Sequence, residues 1–186
     1  EAELQVRQFL RGGCALRHHP EFHVVDIGGI ARLDEKAARH RLHADACRAL
    51  LAASPRFLLH TVAHAREHSL EVQLPFLQVV LPAFALVPLI CGEVSRAELR
   101  EAAEALRRTL WRDDTLWVVS ADFTRYGRAF GYTPFQGDTA GDIERLDRGA
   151  IRLIEAGDTD GFLDYVARTG APICGATPIA LLLAAL

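Results

Sequence analysis

The histidines and carboxylates of one short segment could do chemistry together. If residues 64–76 are helical, His64, Glu67, His68 and Glu71 lie at positions i, i+3, i+4 and i+7 and share one face. Two imidazoles and two carboxylates on one face are typical of a metal site or an acid–base site. The alternative is a solvent-exposed helix face that carries charged side chains without a function.

A second candidate is Asp122, which directly follows the apolar segment 115–120. This near-continuous apolar run predicts a strand buried on both faces of a parallel sheet. Ligands of open α/β sheets bind at the carboxyl ends of strands, so Asp122 is well placed to bind one. The alternative is an aspartate that only caps a turn.

A third candidate is Cys174, which stands just ahead of the last predicted helix. The N-terminus of a helix favours the thiolate, the form that binds metals or acts as a nucleophile. Gly175 lets the backbone approach its surroundings closely. The alternative is a small buried thiol, which we also expect for Cys47 and Cys91.

Elements that could position these residues alternate along the chain. The patterns predict strands over 22–27, 84–90 and 115–120, and helices over 44–54, 95–111, 141–156, 159–168 and 176–186, beside the helix that contains His64. Ser95 and Glu98 form a capping box. Pro75 predicts a kink or an early end near Leu74, and Pro88 an edge strand or a bulge. The predicted fold class is α/β, with a layered, mostly parallel β-sheet flanked by helices.

Composition restricts the classes of partner. The chain has 186 residues, 50% hydrophobic and 24% charged, with a net charge of −3. This is an ordinary globular composition, so neither nucleic acid nor a membrane is indicated as a partner. Four cysteines without a Cys-x-x-Cys pair predict free thiols and a cytoplasmic location. The abundance of Ala, Arg and Leu favours a bacterial source.

We expect one domain over residues 1–186 that is truncated at both ends. The chain contains no methionine, begins at Glu1, and stops at Leu186 inside an apolar run. An intact helix would be expected to continue to a cap.

Three segments together resemble the Memo family, which in bacteria and archaea is named AmmeMemoRadiSam system protein B. Residues 67–76 resemble its Glu-His-Ser-hydrophobic-Glu signature, and 120–127 resemble its Ser-Ser-Asp-Phe-Ser-His-Tyr-Gly motif. Residues 173–179 resemble its C-terminal Cys-Gly segment. The motifs follow the family order over roughly residues 42–186, whereas residues 1–41 match poorly.

The resemblance implies a fold like that of the class III extradiol dioxygenases and a non-haem iron or copper site. It assigns metal-ligand positions to His68, Asp122 and Cys174, with His19 as a counterpart of a loop histidine. Catalytic roles would fall to His68, Glu67 and Asp122. The implied partners are a small molecule or peptide, a radical SAM protein and the A component of the AmmeMemoRadiSam system.

Two departures leave the completeness of this metal site open. The family's upstream Pro-His-Ala-Gly segment is absent, and Arg125 stands where the family has histidine. Arginine is a fixed cation that cannot act as a proton shuttle or a ligand.

Three hypotheses about function follow. The first is a metal-dependent, redox or dioxygenase-like site. The second is a non-catalytic module that binds a peptide or protein in the same cleft, which Arg125 favours because arginine suits anion recognition. The third is a zinc metallopeptidase that uses the His-x-x-Glu-His sequence of residues 64–68 with Glu144 as a further ligand.

Overall fold

The computed structural model describes residues 22–24, 40–60 and 68–186, and for residues 22–24, 40 and 41 it describes the backbone alone. Within these ranges the chain forms short strands and longer helices. The strands are β1 (Phe22–Val24), β2 (His40–Leu42), β3 (Phe57–Leu59), β4 (Phe84–Leu86) and β5 (Leu89–Cys91). The helices are α1 (Ala44–Ala53), α2 (Leu74–Val80), α3 (Arg96–Leu110), α4 (Thr139–Glu155), α5 (Thr159–Thr169) and α6 (Ala176–Ala185), with a 3₁₀ turn at Arg128–Phe130.

The described strands form two small sheets. β1 lies between β3, to which it is parallel, and β5, to which it is antiparallel. β2 pairs in parallel with β4. The mixed α/β class is therefore confirmed, while one layered sheet of the dioxygenase type stays a prediction.

The strand predicted over 115–120 is wrong. In this part of the described chain the segment has no regular secondary structure and belongs to neither sheet. Leu116 is 63% exposed and Val118 is 48% exposed. A strand needs hydrogen bonds from a neighbouring strand, and a long apolar run cannot by itself provide that neighbour.

The single strand predicted over 84–90 is two strands. β4 and β5 are separated at Val87 and Pro88, and they pair in different sheets. Proline has no amide hydrogen to donate to a ladder, and Pro88 is fully buried where the chain passes from one sheet to the other. Of the strand predicted over 22–27, residues 22–24 are confirmed and the rest lies outside the described residues.

The predicted helices agree closely with α1, α3, α4, α5 and α6. The capping box of α3 is confirmed: the Glu98 amide donates to Ser95 Oγ at 3.3 Å, and the Ser95 amide donates to Glu98 Oε2 at 2.8 Å. The sequence also predicts a helix that contains His68 and Glu71, and for these two residues the prediction is wrong. Residues 69–73 form turns, and α2 begins only at Leu74 with Pro75 in its first turn.

Helix α6 lies at the centre of the core. It is apolar all round, as expected for a helix packed on several sides, and it contacts α3, α5 and β5. Its buried residues are Ile179, Ala180, Leu181, Leu182, Leu183 and Ala185. Leu106 and Phe162 fill the space beside it. Because Cys174 and Gly175 directly precede α6, they are held by the most buried helix of the described fold.

Two of the four thiols belong to this core or its edge, as predicted. Cys47 is buried in α1, and burial raises the pKa of its thiol. Burial likewise raises the pKa of the Cys91 thiol to about 12. Cys47, Cys91 and Cys174 are all free. None of the described helices is both long and apolar enough to cross a membrane.

Candidate functional site

Asp122 and Cys174, 52 positions apart in the sequence, lie side by side. The Asp122 amide donates a hydrogen bond to Cys174 Sγ at 3.1 Å. In return the Cys174 amide donates to the Asp122 carbonyl oxygen at 3.1 Å. We call these two residues, with the adjoining Ser120, Arg125 and Gln73, the Asp122–Cys174 site.

Gly175 makes this approach possible, as its type predicted. A Cβ atom at position 175 would lie 2.2 Å from the Ala121 Cβ and 3.0 Å from the Ala121 Cα. Ala121 and Phe123 are buried on either side of Asp122 and anchor that segment in the core. The Asp122 segment is held by its buried neighbours, and the Cys174 segment packs closely against it at Gly175. The two segments therefore stay in contact.

Arg125 forms an ion pair with Asp122 inside the site. Its Nη2 lies 2.6 Å and its Nε 3.2 Å from the same carboxylate oxygen, Oδ2. The side chains are only 18% and 16% exposed. The guanidinium also lies 5.9 Å from the centre of the Phe130 ring, within the range of a cation–π contact. The negative charge of Asp122 is therefore balanced by a cation that is permanently charged.

The first candidate segment reaches the same site through a residue that sequence reasoning did not single out. Gln73 Nε2 donates to Ser120 Oγ at 3.0 Å. His68 is partly buried at the start of the turn that leads to Gln73, and its carbonyl accepts a bond from the Val72 amide. Gln73 lies within the recognised signature, but nothing in its type or spacing names Ser120 as its partner.

The loop after Asp122 is fastened to the helices behind it. The Thr124 amide donates to Asp147 Oδ1 of α4 at 3.1 Å, and the Tyr132 hydroxyl donates to the Thr169 carbonyl at the end of α5. Phe135 stacks on Tyr126 and meets Tyr132 edge-on. Asp147 and Tyr132 were also missed as positioning residues, because their partners are far away in sequence.

One buried hydroxyl in this loop has no partner. Among the described residues, Thr124 Oγ1 is buried and makes no hydrogen bond. A buried polar group without a partner costs about 1–3 kcal/mol, so this oxygen is a local weakness of the loop.

The other predicted site residues are not brought into this site by the described structure. His19, His64 and Glu67 lie outside the described residues. Glu144 is exposed and pairs with Arg148 one turn along α4, which is the usual arrangement of a solvated helix face. Within the described ranges, no three His, Cys, Asp or Glu side chains form a group able to hold a metal ion.

Asp122 and Cys174 fit a metal by donor type, since a thiolate and a carboxylate are common ligands of first-row metals. They supply two ligands, and one of them is engaged by Arg125. A complete site would need a third donor.

Comparison with known proteins shows similarity over most of this chain. A family model described as "Memo-like protein" matches residues 41–186. Human protein MEMO1 is 32% identical over 127 residues, which cover 64% of this chain and 43% of the human protein. A MEMO1 family protein of Schizosaccharomyces pombe is 29% identical over 167 residues, 75% of this chain and 54% of the yeast protein. A MEMO1 family protein of Pyrococcus abyssi is 36% identical over 131 residues, 63% of this chain and 43% of the archaeal protein. The chain spans about half the length of these relatives.

Proposed function

This chain belongs to the Memo-like protein family, and on that premise we propose that the Asp122–Cys174 site binds a redox-capable first-row metal, iron or copper. Asp122 and Cys174 are ligands in this proposal. The observation that carries it is the reciprocal pair of hydrogen bonds that joins the two residues. These bonds hold the Asp122 backbone against Cys174, so that two residues from distant parts of the chain, one with a carboxylate and one with a thiol, adjoin each other.

The third donor in this proposal is a histidine or a glutamate. His68 is the first choice, because its turn is tied to Ser120 through Gln73; Glu67 and His19 are the alternatives. His68 also takes the role of acid or base toward the substrate, with Glu67 orienting it.

The bound metal would supply Lewis-acid and redox chemistry of the dioxygenase-like kind that the family's fold suggests. Asp122 and Cys174 hold the ion, and the buried neighbours Ala121 and Phe123 keep them in register. The substrate in this proposal is a small molecule or a peptide. The radical SAM protein and the A component remain proposed partners, and the cytoplasm the proposed location.

Metal binding by the full 186-residue chain tests the proposal. We expect iron(II) or copper to bind with a stoichiometry near one, measured by anaerobic titration and elemental analysis. Cys174→Ser and Asp122→Ala should each weaken binding by about tenfold or more, since loss of a ligand removes a direct metal bond.

The matched controls are Cys91→Ala, which removes a thiol of the core edge, and Asp114→Asn, which removes an exposed carboxylate. Both should leave metal binding unchanged. Equal metal content in the wild type, Cys174→Ser and Asp122→Ala would reject the proposal.

A second function, peptide binding, is favoured by one specific observation. Arg125 lies over Phe130, whose side chain is 53% exposed. A guanidinium beside an exposed aromatic ring suits a ligand that carries an anionic group and a ring. Fluorescence anisotropy of a labelled tyrosine-phosphorylated peptide, with chelator present, tests it. Binding that needs no metal and falls in Arg125→Gln would favour this function over the first.

The zinc peptidase hypothesis loses support. It requires His64 and His68 to share a helix face, and His64 lies outside the described residues. Its expected further ligand, Glu144, is paired with Arg148.

A further inference from the structure

We infer that Arg125 is an internal competitor of the metal ion: its guanidinium occupies the Asp122 carboxylate and thereby sets how tightly the site binds a cation. The inference rests on the proposed metal site. It concerns a different residue, however, and a different measurable quantity, the affinity rather than the identity of the ligands.

The Asp122–Arg125 pair differs from the other ion pairs of the described residues. Its side chains are 18% and 16% exposed, less than the two members of any other pair in those ranges. Solvent screens partly buried charges much less than exposed ones, so this pair has a larger electrostatic effect than the helix-surface pairs. Its effect falls on Asp122, the carboxylate that the proposal uses as a ligand.

The loop holds the two residues in position for this competition. The amide of Thr124, between them, is fixed to Asp147 of α4. Arg125 directs both Nε and Nη2 at Oδ2. Because the backbone is already held, little conformational entropy is lost in keeping the pair together, and a cation must displace a well-placed guanidinium.

The competition cannot be removed by a change of pH. Arginine stays protonated under all conditions in which proteins fold, so a metal ion always meets a fixed positive charge at this carboxylate. The Phe130 ring, already 5.9 Å from the guanidinium, offers the displaced cation a nearby aromatic face.

Cobalt(II) binding to the 186-residue chain is the test. Cobalt bound to a thiolate gives a charge-transfer band in the near ultraviolet, so the band reports on metal binding rather than on any activity, and its loss in Cys174→Ser assigns it to that thiol. We expect Arg125→Gln to bind cobalt about tenfold more tightly than the wild type, which corresponds to about 1.4 kcal/mol. Arg128→Gln removes the same charge from an exposed position three residues further on, and it should bind like the wild type.

A second neutral variant keeps the test valid if glutamine disturbs the loop. Arg125→Met retains an aliphatic stem against Phe130 and should give the same tighter binding. The variant used is the one whose near-ultraviolet circular dichroism matches that of the wild type.

Each outcome is decisive. Equal or weaker cobalt binding in the Arg125 variants, with a band that still disappears in Cys174→Ser, would overturn the role of Arg125 and leave the metal site standing. Equal tightening in Arg128→Gln would show a general charge effect and would also overturn it. A band that persists in Cys174→Ser, or no band in any variant, would reject the metal site and this inference with it.

Discussion

At the residue scale, the contact between Gly175 and Ala121 decides whether Asp122 and Cys174 can meet. Gly175 has a φ of −95°, which any residue can adopt. Glycine is therefore required here for space rather than for backbone conformation. The missing Cβ would overlap the Ala121 Cβ at 2.2 Å.

We predict that Gly175→Ala lowers the free energy of unfolding by about 1–3 kcal/mol, the usual cost of overpacking a tight contact. The Asp122 amide resonance should shift, because its bond to Cys174 Sγ is disturbed. Urea denaturation and amide NMR measure the two effects. Ala121→Gly in the same chain removes one overlapping atom and should restore part of the loss. No recovery in the double variant would mean that another contact requires the glycine.

A second prediction at this scale concerns Thr124, whose buried hydroxyl lacks a partner. Thr124→Val replaces an unpaired polar group by an apolar one of the same shape, so we expect about 1 kcal/mol of added stability. In a protein of this size that raises the melting temperature by about 2–4 °C. Thr115→Val is the matched control, because the Thr115 hydroxyl donates to the Leu110 carbonyl at 2.9 Å. The control should lose stability, and a loss in both variants would show that the Thr124 hydroxyl is also bonded.

At the element scale, α3 is fastened at its first turns to the chain that follows α1. Arg56 donates to Glu98 Oε1 at 2.8 Å and to Glu101 Oε2 at 2.9 Å, and the Ser54 hydroxyl donates to Glu101 Oε1. Further along, arginines of α3 pair with carboxylates of α5: Arg96 with Asp160 and Asp164, and Arg100 with Asp160. The polar face of α3 is thus linked to α5 and to the chain after α1, while the helix itself packs against α1 and α6.

This network predicts a pH dependence of stability. Hydrogen bonds from the Ser95 amide and hydroxyl, with Arg56 nearby, hold the pKa of Glu98 below its ordinary value of 4.5. A hydrogen bond from Arg56, with a further one from Ser54, lowers the pKa of Glu101 in the same way. A carboxyl whose pKa is lowered by folding stabilises the fold above its unfolded pKa and loses that contribution as the pH falls through the folded pKa.

We therefore expect the melting temperature of the wild type to fall as the pH drops below about 4.5. Arg56→Gln should melt lower than the wild type at neutral pH, and the gap should narrow in acid as Glu101 is protonated in both proteins. Thermal melts from neutral pH to about pH 3 measure it. Arg112→Gln, a change at an exposed arginine, is the control. A gap that stays constant with pH would show that Arg56 acts by packing alone.

At the scale of the whole molecule, the core of the described residues lies among the helices, and the sheets in those ranges are small. Leu106 of α3 and Phe162 of α5 are fully buried beside α6. The apolar segment 115–120, predicted as a strand buried on both faces, leaves Leu116 largely exposed. Leu106 and Leu116 therefore contribute very differently to the stability of the fold.

We predict that Leu106→Ala costs about 2–5 kcal/mol of stability, because it leaves a cavity in a packed core. Leu116→Ala should stay within about 0.5 kcal/mol of the wild type, as surface substitutions do. Chemical denaturation of both variants measures the difference. A large loss in Leu116→Ala would contradict its exposure and restore the predicted buried strand.

The sequence by itself determined five of the six helices of the described fold, α2 being the exception, and the family of the chain. Caps such as Ser95 with Glu98, and apolar periodicity, specify a helix because its hydrogen bonds close within one segment. The motifs around His68, Asp122 and Cys174 pointed to the family, and Gly175 to a close backbone approach, because residue type and order are local information. The family match over residues 41–186 confirms the predicted family. The contact with Ala121 confirms the close backbone approach at Gly175.

Only the tertiary structure decided which distant residues meet. It split the segment around Pro88 between two sheets and gave residues 115–120 no strand partner among the described residues. It joined Gln73 to Ser120 and placed Arg125 on the Asp122 carboxylate. Strand pairing and side-chain contacts depend on groups supplied by other parts of the chain. A local pattern can therefore name the candidates for a site but not the partners that hold them together.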